Sequence, residues 1–200
     1  MNQKGTVKKY ITPHPWPLIV SVVGYAVAIP LSLSKTESLY LIGGFLFMIL
    51  VLPLICVLFQ TLPGFLRASG TVKRLKKEGL LDMADAELAS GQVTELCKRK
   101  AACTEHFLFA RRGAFALEYT DILWAYKHKF TQTLFFIPIH TTESVILCTK
   151  KKNYSIKLGG KDKNNELVEL IKLIYQHNPK MLVGFTKENK QTYKQLCRTR

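Results

Sequence analysis

Two apolar runs near the start constrain this chain more than anything else in it. One reads from Trp16 to Leu33, the next from Leu39 to Leu62, and neither contains an Asp, Glu, Lys or Arg. Spanning a bilayer core takes about 20 apolar residues in a helix, with about 17 as the lower limit. The second run meets that length. The first is at its short end, where the bilayer would have to thin locally. The sequence therefore predicts a two-helix transmembrane hairpin over residues 16–64. Gly43 and Gly44 would let the helices approach closely, Pro30 and Pro53 are tolerable inside membrane helices, and Pro63-Gly64 would stop the second one.

Charge sets the expected orientation. Lys4, Lys8 and Lys9 precede the first run, and Arg67, Lys73, Arg74, Lys76 and Lys77 follow the second. The short connection between the runs holds only Lys35 and Glu37. Positive residues favour the cytoplasmic side, so both termini are expected there, in a multi-pass protein of the cell membrane. No small-residue cleavage site follows the first run, which argues against a removed signal peptide. Cys56, Cys97, Cys103, Cys148 and Cys197 are odd in number and irregularly spaced. That pattern fits free thiols facing a reducing compartment rather than a disulfide framework.

The net charge is +15, and from residue 67 onward 25 Lys or Arg stand against 13 Asp or Glu. Such an excess points to an anionic partner. Beside a membrane anchor, lipid headgroups are the nearer candidate and nucleic acid the more remote one. Ordinary solvated basic surface explains the same charge.

Beyond the hairpin the pattern is mixed. Val72 to Ser90 reads as helix in two pieces, broken near Gly79 and ended at Gly91. From Gln92 on, β-branched and aromatic residues predict strands near Val93–Lys98, Ala102–Ala110, Ala114–Tyr119, Ile122–Lys129, Thr133–Ile139, Ser144–Thr149 and Tyr154–Leu158. Turns are expected at Arg111-Arg112-Gly113 and at Lys150–Asn153. The period then changes. Leu167, Leu170, Ile171 and Ile174 form one apolar stripe of a helix that Asn164 or Asn165 can cap and that ends near Gln176. Met181–Phe185 predicts a short strand, and Thr186 can cap a final helix from Lys187 to about Leu196.

The stretch Glu118-Tyr119-Thr120-Asp121-Ile122-Leu123-Trp124-Ala125-Tyr126 resembles the second-to-third strand corner of bacterial pleckstrin-homology-like (PH-like) domains. Thr104–Phe109 is similar to the strand before it. With the hairpin and the tail Val183–Lys190, most of the chain resembles a small bacterial family of uncharacterised membrane proteins. The resemblance implies a partly open antiparallel barrel of about seven strands, plugged by the C-terminal helix. It implies no activity. The expected class is thus α+β, divided into a basic N-terminus (1–15), the hairpin (16–64), a basic helical linker (65–91), the PH-like domain (92–179) and a short strand with a basic terminal helix (180–200).

Chemistry-bearing motifs are sparse in this sequence. Cys97, Cys103 and His106 match no common zinc spacing. Gly159-Gly160-Lys161-Asp162 lacks the phosphate-loop pattern. His128 and His140 have no nucleophile elbow beside them. Glu118 and Asp121 sit at a strand corner, where Asp121 is expected to accept backbone N–H bonds. Trp124 and Tyr126 read as core before they read as a ligand groove. No catalytic, cofactor or metal residue is assigned.

Basic residues rise above this background. Arg67, Lys73, Arg74, Lys76 and Lys77 form one cluster, and Lys98-Arg99-Lys100, Arg111-Arg112 and Lys150-Lys151-Lys152 fall at expected turns. If the tips converge they make a composite anionic-headgroup site; if they scatter they solubilise loops. The expected function is a non-catalytic, membrane-anchored module for a membrane-protein partner, a second copy of itself or anionic headgroups. A small lipid-directed enzyme or transport accessory, and a tethered nucleic-acid binder, are the alternatives.

Overall fold

A computed structural model describes residues 6–12, 62–111, 114–134, 137–158 and 165–198, with isolated positions between 16 and 45. Helix α1 spans Thr6–Ile11, α2 residues 62–77 and α3 Leu81–Ala89. Eight strands follow: β1 (Thr94–Leu96), β2 (Ala101–Cys103), β3 (Phe107–Ala110), β4 (Phe115–Glu118), β5 (Ile122–Leu134), β6 (Ile137–Thr149), β7 (Asn153–Lys157) and β8 (Leu182–Val183). Helix α4 (Glu166–His177) lies between β7 and β8, and α5 (Lys187–Arg198) comes last.

The expected transmembrane hairpin is corrected. Among the described residues no helix is long and apolar enough to cross a membrane. The multi-pass location and the membrane-anchored part of the fold class, which depended on that hairpin, are not supported. Most of the two apolar runs lies outside the described residues. Pro63-Gly64 does not stop a helix either. Residues 62–77 are helical through both, and this helix carries Arg67, Lys73, Arg74, Lys76 and Lys77. It buries Ala68 and Leu75 against protein instead.

What ends α2 is Gly79. Its φ of +74° is open to glycine without strain. The Leu80 N–H donates to the Leu75 carbonyl at 2.9 Å and the Gly79 N–H to that of Lys76 at 3.3 Å. This paired pattern closes a helix through a left-handed residue, at the break the sequence predicts.

The strands form two sheets. One is an antiparallel meander in the order β1-β2-β3-β4; the other has the order β7-β6-β5-β8, with β8 parallel to β5. Leu108, Leu117, Ala125, Val145, Leu147 and Ile156 bury between the sheets, and the α4 stripe of Leu167, Leu170, Ile171 and Ile174 joins them. The first sheet is covered on its other face as well. There Phe107, Phe109, Ala102, Ala114 and Ala116 pack with Val7, Ile11, Ala68, Leu75 and Ala84. Both faces being buried explains why Phe107-Leu108-Phe109-Ala110 is apolar without alternation.

Two strand expectations change. Ala102–Ala110 is not one strand, because Thr104–His106 breaks it. The Thr104 hydroxyl and the His106 N–H both donate to Glu87 Oε2, at 2.6 and 3.1 Å. Conversely, Ile122–Lys129, Thr133–Ile139 and Ser144–Thr149 are parts of one long hairpin, β5–β6. Gln132 pairs with His140 and Thr133 with Pro138, so Ile139 is bulged out. A bulge is where a strand accommodates proline.

Asn178 ties the second half together. Its Nδ2 donates to the carbonyls of Tyr119 at 2.8 Å and Ile122 at 2.9 Å. The Tyr119 ring stacks on His177 at 4.4 Å. The end of α4 is thereby pinned to the corner between the sheets. At the last helix the Thr186 hydroxyl accepts from the Asn189 N–H at 3.0 Å, a side-chain N-cap.

Candidate functional site

Basic residues far apart in sequence meet beside α2. Arg67 and Arg74 stand seven residues apart, two helical turns, and so share one face. The β6–β7 turn brings Lys150, Lys151 and Lys152 opposite them. All five line one open cleft of about 520 Å³ with Gly70, Thr71, Glu78, Asp121, Thr149 and Tyr154. Among the described residues five cations thus face two carboxylates.

Both partners of this juxtaposition are anchored. Thr71 Oγ1 donates to the Ala114 carbonyl at 3.0 Å, and Arg74 Nη2 to that of Ala116 at 2.6 Å. These bonds dock α2 on the β3–β4 corner. On the other side, Thr149 Oγ1 donates to the Lys152 carbonyl at 2.8 Å and closes the turn. The Tyr193 hydroxyl on α5 donates to the Thr149 carbonyl at 2.8 Å. Lys152 Nζ sits 4.6 Å from the Tyr154 ring centre, a cation–π contact that holds it at the wall.

Electrostatically the cleft is positive but not bare. Arg74 Nη1 lies 3.9 Å from Asp121 Oδ2 and its Nε 3.6 Å from Glu78 Oε2. Asp121 therefore faces a guanidinium rather than serving as the turn acceptor the sequence suggests. Burial pushes the Tyr154 phenol above its ordinary value, with the Arg74 charge working against that.

The remaining predicted basic residues that the structure describes do not line this cleft. Lys73, Lys76 and Lys77 are exposed on α2 outside the cleft walls. The Arg111 guanidinium is over the Tyr10 ring at 6.0 Å, and Arg112 lies outside the described residues. Lys100 lines a neighbouring cavity of about 750 Å³ with Lys157, and this cavity shares Arg67, Thr71, Lys152 and Tyr154 with the cleft. Sequence reasoning missed Thr71, Tyr154 and Lys157. The alternation of Tyr154, Ile156 and Leu158 with Ser155 and Lys157 signals Lys157 alone, because it puts Lys157 outward; Thr71 and Tyr154 carry no such signal.

The other candidates fall elsewhere. Among the described residues no three His, Cys, Asp or Glu side chains group closely enough to hold a metal ion. Cys97 and Cys103 are buried, and His106 is held by Glu87. His128 and His140 are on the exposed part of the β5–β6 hairpin. Gly159 to Asp162 lie outside the described residues. Trp124 is buried, its Nε1 donating to the Gly184 carbonyl at 2.7 Å, in a cluster with Tyr126, Phe185 and Tyr193.

No curated protein and no solved structure matches the chain. A family model does match residues 75–193, more than half of the sequence, and takes in α3, both sheets, α4 and most of α5. The chain belongs to the family described as a domain of unknown function, DUF6709.

Proposed function

We propose that the chain is a non-catalytic, PH-like binding module that takes an anionic group, phosphate or carboxylate, in the cleft between α2 and the β6–β7 turn. The observation that carries this reading is the convergence of Arg67 and Arg74 with Lys150, Lys151 and Lys152 on one cavity. Two antiparallel meanders followed by an amphipathic helix packed on their shared core support the PH-like part. Binding rather than turnover is supported by the cleft's two carboxylates, both drawn toward Arg74 rather than toward a nucleophile. A single-stranded nucleic-acid platform would need exposed aromatics beside the cations, and Phe107, Phe109 and Phe115 are buried.

Calorimetric titration of the full chain with inorganic pyrophosphate tests the reading. Saturable binding that weakens with salt is expected. The double variant K150A/K151A should bind about tenfold more weakly, since both lysines line the cleft and lie exposed on the β6–β7 turn. Absence of saturable binding at low salt, or an unchanged affinity in the variant, would refute it.

A further inference from the structure

We propose that the outer edge of β7 is a docking site for an extended acidic segment of a protein partner, which adds to the second sheet as a further strand. This rests on the reading of the chain as a binding module, and it narrows the partner to a polypeptide.

Strand β7 is the end of its sheet, and among the described residues no strand pairs with its outer side. The Leu158 N–H donates to the Glu143 carbonyl at 2.9 Å, and Ile156 and Tyr154 lie opposite Val145 and Leu147. Hydrogen-bonded pairs alternate along an antiparallel ladder. The backbone groups of Asn153, Ser155 and Lys157 therefore point away from β6. The Lys157 carbonyl shows this directly, accepting from Lys100 Nζ at 3.1 Å. Lys100 Nζ also donates to the Leu158 carbonyl. Lys100 thus caps one end of the edge and, among the described residues, leaves Ser155 and Asn153 as its open part.

The 750 Å³ cavity runs along this edge, and all five residues of β7 line it. At roughly 3.4 Å per residue, that is about 17 Å of strand. Its other walls are Arg67 and Thr71 of α2 and the β3–β4 corner at Ala110, Ala114 and Phe115. Among the described residues Arg67, Lys100, Lys152 and Lys157 supply four cations to this lining, which holds no described Asp or Glu. A compact phosphate would use the cations and leave the row of backbone donors and acceptors idle. An acidic strand uses both: its main chain pairs with the edge and its carboxylates meet the lysines and arginine.

The test uses the full chain and a fluorescent hexapeptide of alternating Val and Glu. Saturable binding is expected. Replacing each Glu by Gln, or N-methylating alternate backbone amides, should weaken it about tenfold or more. Ser155→Pro removes an outward N–H, a substitution an edge strand tolerates. It should have the same effect while pyrophosphate affinity stays unchanged. Equal binding of the plain and N-methylated peptides would reduce the contact to bulk charge and overturn the proposal without needing the variant. No binding of any peptide would mean that Lys100 and Lys157 merely guard the edge, again overturning it. So would phosphatidylserine vesicles that bind in a Ser155-dependent way when the peptide does not. Retained pyrophosphate binding in those cases leaves the module reading standing, whereas its loss with peptide binding intact defeats only the cleft.

Discussion

His106 Nδ1 lies 2.6 Å from Glu87 Oε1, joining the β2–β3 turn to α3. The hydrogen bond to Glu87 raises the His106 pKa above its ordinary 6.5. Burial pushes Glu87 upward, but the hydrogen bonds from Thr104 and from the His106 backbone and ring outweigh it and hold the carboxyl below 4.5. Stability from the raised histidine is complete below pH 6.5 and fades as pH rises through its folded value. Stability from the lowered carboxyl is complete above pH 4.5 and fades as pH falls through its folded value. Melting temperatures from pH 3 to 9 should therefore decline at both ends. In His106→Ala the alkaline decline should disappear. A variant whose profile parallels wild type above pH 6.5 would show that the pair is not coupled to folding.

Asn178→Ala deletes both donors to the Tyr119 and Ile122 carbonyls. With each bond contributing about 1 kcal/mol net, urea denaturation should show a loss of about 2 kcal/mol. A change within about 0.5 kcal/mol would mean that water replaces the amide freely.

At Gly79 an added Cβ meets nothing within 4 Å, so only the left-handed φ of +74° is at issue. Gly79→Ala should cost about 1 kcal/mol, and Gly79→Asn less, because asparagine tolerates this region. Equal costs for the two substitutions would point to a packing cause instead.

Phe109 is buried between the first sheet and the helices, with the Tyr10 ring 6.4 Å away edge-on. Phe109→Ala should destabilise by about 3–5 kcal/mol. Because the cavity opens under α1, limited proteolysis should cut near residues 6–12 before any other described segment. First cleavage within β5–β6 would contradict this arrangement.

Thiol labelling should rank the cysteines. Burial pushes Cys103 up to about 12 and Cys148 up to about 11, the nearby Cys197 adding to the latter. Cys197 is half-exposed. A disulfide reagent at pH 7 should modify Cys197 in the native protein, and Cys103 and Cys148 only after denaturant. Native-state labelling of Cys103 would show that the turn at Thr104 opens.

Features that depend on a few neighbouring residues were legible in advance. The helix break at Gly79, the amphipathic α4 and the Thr186 cap follow from backbone freedom, a 3.6-residue period and a nearby hydroxyl. So does the alternation of β7. These properties operate within one or two turns of chain, and local chemistry suffices for them.

What depended on distant contacts was not legible. The two apolar runs invited a membrane reading, yet the helix emerging from the second packs its Ala68 and Leu75 on a sheet. Nothing local announced that Thr104 would break a strand for the sake of Glu87, or that three expected strands would run together as one hairpin with a bulge at Ile139. The cleft is of the same kind. Arg67, Arg74 and Lys150–Lys152 were visible as charge, but only the docking of α2 on β4 and the β6–β7 register set them facing one another. Arg111, equally basic, turned to Tyr10. Charge is a property of a residue, whereas convergence of charges is a property of long-range packing.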